Sequence, residues 1–274
     1  MSSRRTASPP TRFRRWIGVD YSGAATADTR LPGLQVAVLE AGDESPRIVR
    51  PGEGAGDGGP GSGRPRNWTR RELAAWLQEQ LAEPVPTIVG IDHALGHPRP
   101  VLEAAGHRTW DAWLDAAAAD WPADRPDVRV ADLRRAGAPV GEASLLRRTD
   151  AATAGAKPVF LFDVQGSVAT STHAGLAWIH RIRRAIPPPR LHLWPFDGWL
   201  PPTGTSVIAE AFPSLLRRRW PREGRGVDAH DAWCTAAWLG QIDAIGAMDH
   251  HLAPPLPPAV AEDARLEGWI LGVH

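Results

Sequence analysis

Residues 16–24 read Trp-Ile-Gly-Val-Asp-Tyr-Ser-Gly-Ala, and the fold is decided there. Trp16, Ile17 and Val19 favour extended backbone, while Ser22, Gly23 and Ala24 are small and turn-prone. Trp16–Asp20 therefore predicts a buried strand that presents the Asp20 carboxylate at its tip. Thr87–Asp92, TIVGID, repeats the design and ends on Asp92 before HALGHP turns the chain away. Open α/β sheets place their sites at the carboxyl edge of the strands, so two such tips are the frame of a site. Taken singly, each Asp reads better as the cap of a turn or helix. The pair, with a further acidic cluster late in the chain, shifts the reading.

Outward from these strands, Leu34–Glu40 alternates as a second strand and Arg47–Arg50 reads as a weaker third. Residues 1–14 read as a disordered basic tail, and Gly52–Arg66 as a loop without periodicity. Thr69 and Glu72 form a capping box, with Trp68 and Leu73 placed as its hydrophobic staple, and Pro84 stops the helix they open. A strand, two short strands, a helix and a strand is the order of a mixed α/β sheet with a crossover helix.

Residues 97–157 interrupt the pattern as an insertion, a candidate lid, with a helix near Thr109–Asp120 and a short one around Ala131–Ala136. Val159–Val164 is a short apolar run that suits a strand. The helix opened by Gly166–Ser167 carries Val168, Thr172, Leu176, Ile179, Ile182 and Ile186 on one face. His180, Arg181, Arg183 and Arg184 lie on the other, a solvated face or a phosphate-facing one. Leu191–Phe196 and Val207–Phe212 suit strands, and Asp228 and Asp231 start a last helix running to about Ala244. Trp269, Ile270 and Leu271 near the end of the chain are too apolar to leave exposed.

The 274 residues carry 31 basic and 31 acidic side chains, so no global charge draws the chain to nucleic acid. Its single cysteine, Cys234, excludes an internal disulfide and a cysteine zinc knuckle, and its place in a helical pattern makes it a core residue. Lys157 is the only lysine, a bias that matches the abundance of Ala, Gly, Pro and Arg. There is no apolar run long enough to span a membrane and no signal-peptide pattern, so the expected location is the cytoplasm.

The acids form the candidate site: Asp20, Asp92, Glu210, Asp228 and Asp231, the last two sharing a helix face. Clustered carboxylates raise each other's pKa unless a cation sits among them. Hard oxygen donors without a Cys or a His pair suit Mg²⁺ or Mn²⁺, which would activate water for phosphodiester cleavage. Each acid also has a plainer reading. Asp228 and Asp231 favour the helix dipole at a first turn, and Glu210 among apolar neighbours suits a buried ion pair with an arginine of the 217–219 run.

Six segments together resemble a family: IGVDYSGA at Ile17–Ala24, VGIDHALGHP at Val89–Pro98, AKPVFLFDVQGSV at Ala156–Val168, EAFPSLLRR at Glu210–Arg218, DAHDAWCTAAW at Asp228–Trp238 and EGWILGV at Glu267–Val273. Their order is similar to that of the ribonuclease H-like superfamily. Within it, the chain most resembles the domain of unknown function family 429, whose members are predicted nucleases. The resemblance implies one ribonuclease H-like domain over residues 15–274, a mixed sheet flanked by helices and interrupted by the insertion. It implies Asp20, Asp92, Asp228 and Asp231 as ligands of Mg²⁺ or Mn²⁺. Asp20, Asp92 and Asp231 would then serve catalysis, with Glu210 as the acid of an E-x-x-P pattern and Lys157 as a point charge on phosphate. Nucleic acid is the implied partner, DNA and RNA both open. His93 departs from the family, which more often has a small residue after this Asp.

Two other readings compete. Asp20-Tyr21-Ser22-Gly23 is similar to the first phosphate loop of actin-like and sugar-kinase phosphotransferases, though the latter half lacks a second Asp-x-Gly motif. A binding protein that keeps the fold without catalysis would suit the neutral charge. The histidines His230, His250 and His251 are read as structural or exposed, and Trp194 or Trp199 as core residues that could alternatively stack on bases.

Overall fold

The apolar alternation predicted at residues 16–20 becomes β1, Arg15–Asp20, at the centre of a six-stranded sheet in a computed structural model of the chain that describes residues 11–53 and 66–274. β2, Gln35–Glu40, and β3, Arg47–Val49, follow as an antiparallel meander. β4, Thr87–Ile91, lies parallel to β1 on its other side. β5, Leu191–Leu193, and β6, Ser206–Glu210, complete the order β3-β2-β1-β4-β6-β5, parallel from β1 onward.

Two layers of helix cover this sheet. α1, Arg70–Ala82, opens on the predicted capping box: Thr69 Oγ1 accepts the Glu72 N–H at 3.1 Å, and Glu72 accepts the Thr69 N–H at 3.2 Å. It packs beside α6, Ala169–Ala185, on the face to which Ile17, Val19, Val89, Ile91 and Ile208 point. The opposite face carries Trp16, Ile88, Val207 and Ala209 and is covered by α7, Val227–Ala244. This split follows the period of two along each strand.

Gly18 and Gly90 are register partners on the α7 face. A Cβ on Gly18 would overlap the Ala232 carbonyl, and one on Gly90 would stand 2.7 Å from Thr235 Cγ2. The helix backbone thus lies directly on the strands, which carries its first turns to the carboxyl ends of β1 and β4. Gly18→Val is expected to cost about 1–3 kcal/mol or more by overpacking, read as a lowered urea midpoint at unchanged slope.

The insertion contains α2, Arg99–Ala104, α3, Trp110–Asp120, α4, Val130–Arg135, and α5, Arg148–Ala152. Within it Trp110, Trp113, Leu114 and Trp121 enter the core beside α6, so α3 is built into the fold. The basic face of α6 is paired with acids of neighbouring segments. His180 and Arg184 meet Asp115 at 2.9 and 2.6 Å, Arg181 meets Asp124 at 2.5 Å, and Arg183 meets both Asp111 at 3.0 Å and Asp197 at 2.7 Å. These ion pairs tie α6 to neighbouring segments, while the Arg181 and Arg184 side chains keep exposed faces.

Other expectations shift locally. Val159–Val164 forms turns, because Val159 and Phe160 anchor against Ala94 while Gly166 adopts φ 69°. Within the tail, Phe13 is buried, and the Arg12 and Phe13 N–H groups donate to the Asp243 carboxylate at 2.7 and 2.9 Å. The folded unit therefore begins before residue 15; residues 1–10 of the predicted tail, and residues 54–65 of the predicted loop, lie outside the described residues.

The Pro-rich end holds two helices that periodicity did not announce, α8, Met248–Leu252, and α9, Pro258–Glu267. As expected, Trp269, Ile270 and Leu271 are buried; the Leu271 N–H extends the edge by donating to the Glu210 carbonyl at 3.0 Å. Trp194 is fully buried and donates to the Leu252 carbonyl at 2.9 Å, which makes it a packing residue and not a base platform. No helix among the described residues is long and apolar enough to cross a membrane.

Candidate active site

Asp20 ends β1, and Asp92 follows β4 directly. The register Val19↔Ile91 sets the two acids side by side, and the Asp92 N–H continues the ladder to the Val19 carbonyl at 2.9 Å. Counting by twos from Gly18 and Gly90, both acids belong to the α7 side of the sheet. The close seat of α7 on those glycines supplies the remaining acids. Asp231 is buried, with 5% of its surface exposed, and Asp228 is half-buried at the rim beside Gly33 and Ser22.

Asp20 and Asp92 are half-buried and within hydrogen-bonding reach of each other. Burial, followed by the charges of Asp92, Asp228 and Asp231, pushes the Asp20 carboxyl far above the usual carboxylate range. Burial also raises Asp92, which feels Asp231 and Glu210 as like charges and Arg217 as a counter-charge. The two carboxyls interact strongly enough to titrate as a unit, and burial and mutual repulsion keep the pair from full ionisation at neutral pH. Burial raises Asp231 too, against the pull of Arg217 and His230. Its Oδ2 accepts from an Arg217 guanidinium N–H at 2.8 Å, while its Oδ1 is buried without a partner.

Two expected catalytic residues make contacts away from the Asp20–Asp92 pair. Glu210 pairs in register with Ile91, so its side chain projects to the opposite face from Asp20 and Asp92. There both its oxygens accept from the Arg147 fork at 2.7 Å, and Oε2 also accepts the Leu95 N–H at 3.3 Å. The expected buried ion pair is present, but its cation is Arg147 of the insertion and not one of residues 217–219. Lys157 donates to the Gln165 carbonyl at 2.5 Å and makes no hydrogen bond or ion pair with the acids among the described residues. The contact ties the two ends of the 157–165 turn together.

Arg217 is the site residue that the acid pattern does not reveal. Its carbonyl accepts from His230 Nε2 at 3.0 Å, so both ends of the residue are tied to the first turns of α7. The Asp228–Asp231 spacing announces a common helix face; nothing in it announces a basic partner from 14 residues upstream of Asp231. Cys234, also near His230 at 3.4 Å, is fully buried, and burial pushes its thiol up to about 11, in keeping with a core role. His93 packs edge-on against Tyr21 at 4.6 Å and is pushed down to about 4 by burial, so it serves the core behind Asp92.

Among the described residues, no group of three or more His, Cys, Asp or Glu side chains is arranged to hold a metal ion. Asp20 is closed on Asp92, and Asp231 is turned to Arg217. The donor set nonetheless fits a hard divalent cation in its chemistry. It offers carboxylate oxygens alone, one of them buried and bare, and a pair whose ionisation a cation nearby would favour. No family model matches the chain, and neither a curated protein nor a solved structure matches it.

Proposed function

We propose that the chain is a metal-dependent phosphodiester hydrolase, a nuclease on a ribonuclease H-like sheet of the family 429 type. The antiparallel meander leading into parallel β1 and β4, with an acid at each of their ends, supports this reading of the sheet. The observation that carries the activity is the contact of Asp20 with Asp92 beside the bare, buried oxygen of Asp231.

The proposed cofactor is Mg²⁺ or Mn²⁺. Held by Asp20, Asp92 and Asp231, with Asp228 at the rim, it would polarise a phosphoryl oxygen and lower the pKa of a bound water. The side chains of the chain itself supply the rest. The Asp20–Asp92 pair holds a proton at rest and, once ionised, can accept the proton that water releases on attack. Arg217, which donates to Asp231 and lies in the field of Asp92, supplies a cation for phosphodiester oxygens. Glu210 and Arg147 fix the Leu95 N–H and so the turn that follows Asp92.

The test is incubation of labelled DNA and RNA, single- and double-stranded, with Mg²⁺, Mn²⁺ or a chelator. The reading expects cleavage that requires the metal and disappears in Asp92→Asn. Cleavage that survives chelation, or full activity of Asp92→Asn, contradicts it. A second reading, a binding protein without turnover, is favoured by the closure of Asp20 on Asp92. It expects nucleic acid to be retained and left intact under every one of these conditions.

A further inference from the structure

Arg217 holds Asp231 through a single N–H···O contact at 2.8 Å, and its side chain is 43% exposed. That contact is the only hydrogen bond of the guanidinium among the described residues. A one-point pair on a part-exposed arginine is weak and exchangeable, whereas a guanidinium meets phosphate in a two-pronged fork. The other Asp231 oxygen is buried and bare, an expensive arrangement for a carboxylate and one that points to a missing ligand. The backbone of Arg217, meanwhile, is fixed by His230, so the side chain can pivot on a stationary base.

Resting on the reading above, we infer that Arg217 is an exchangeable counter-cation of the acid cluster. It occupies Asp231 while the divalent ion is absent, yields that carboxylate when the ion enters, and then grips a phosphate oxygen of the substrate. Arg217 and the ion thus compete for Asp231, while Arg217 and the ion cooperate in holding phosphate.

The test uses calorimetry on the full chain, wild type against Arg217→Gln, with Arg135→Gln as a control that removes one charge from a distant exposed pair. Unchanged circular dichroism confirms that each variant folds. Arg217→Gln is expected to bind Mn²⁺ about fivefold more tightly than wild type. The Mn²⁺-loaded variant is expected to bind inorganic phosphate about fivefold or more weakly. Arg135→Gln should change neither. Equal or weaker Mn²⁺ affinity in Arg217→Gln, with Mn²⁺ binding intact in wild type, overturns the inference alone. Absence of Mn²⁺ binding in both proteins overturns the metal-dependent reading and the inference together.

Discussion

Arg147→Met is expected to destabilise the fold by about 3–5 kcal/mol, because it removes one partner of a fully desolvated charge network. Arg147 is 1% exposed and forks to Glu210 at 2.7 Å from both terminal nitrogens, while also donating to Asp150 at 2.8 and 3.0 Å. Burial works against its charge, yet the two carboxylates hold its pKa well above the usual arginine value. Methionine replaces most of the volume and none of the charge, leaving Glu210 and Asp150 buried and unpaired. Burial already raises the Glu210 carboxyl against the pull of Arg147. In the variant it rises further, so the folded state binds a proton that the unfolded chain releases above about pH 4. The deficit is therefore smallest in acid and grows as pH rises through the raised folded value. Urea melts at pH 5 and pH 8 read this directly. A deficit below about 1 kcal/mol at both pH values would show that the network adds little to stability.

Asp20→Asn and Asp92→Asn are expected to lower metal-dependent cleavage on the order of 10²–10³-fold each while leaving the fold intact. Asparagine keeps the shape of the side chain and removes the charge that would face the ion. The same change relieves repulsion. The raised Asp20 carboxyl means that the folded protein binds more protons than the unfolded chain above about pH 4, so wild-type stability falls as pH rises through that window. Asp20→Asn lacks this penalty. Its thermal midpoint should exceed that of wild type at pH 8, and the difference should close toward pH 4. An active variant, or one less stable than wild type at pH 8, would place Asp20 outside a repulsive acid cluster.

Much of this arrangement was legible in the sequence because strand periodicity is local. Asp20 and Asp92 end runs whose apolar alternation reports burial directly, and the capping box at Thr69 and Glu72 locates α1 from four residues. The face of Glu210 is legible by the same rule. Counting by twos from Val207 and Ala209, which face α7, puts Glu210 on the other face of the sheet. Its partner Arg147 was beyond reach, since it arrives from 63 residues away through the packing of the insertion. Arg217 was hidden for a similar reason, lying in a turn between β6 and α7 with no periodicity. The basic face of α6 looked like a phosphate surface because the acids that neutralise it, Asp111, Asp115, Asp124 and Asp197, come from other segments.

The claim on which the account rests is that Asp20, Asp92 and Asp231 form a site for a hard divalent cation. Calorimetric titration of wild type and Asp20→Asn with Mn²⁺ at pH 8 tests it most directly. Expected are saturable binding to wild type, release of protons as the ion ionises the Asp20–Asp92 pair, and loss of both signals in Asp20→Asn. Binding that is equal in the two proteins, or no binding to wild type, would contradict it.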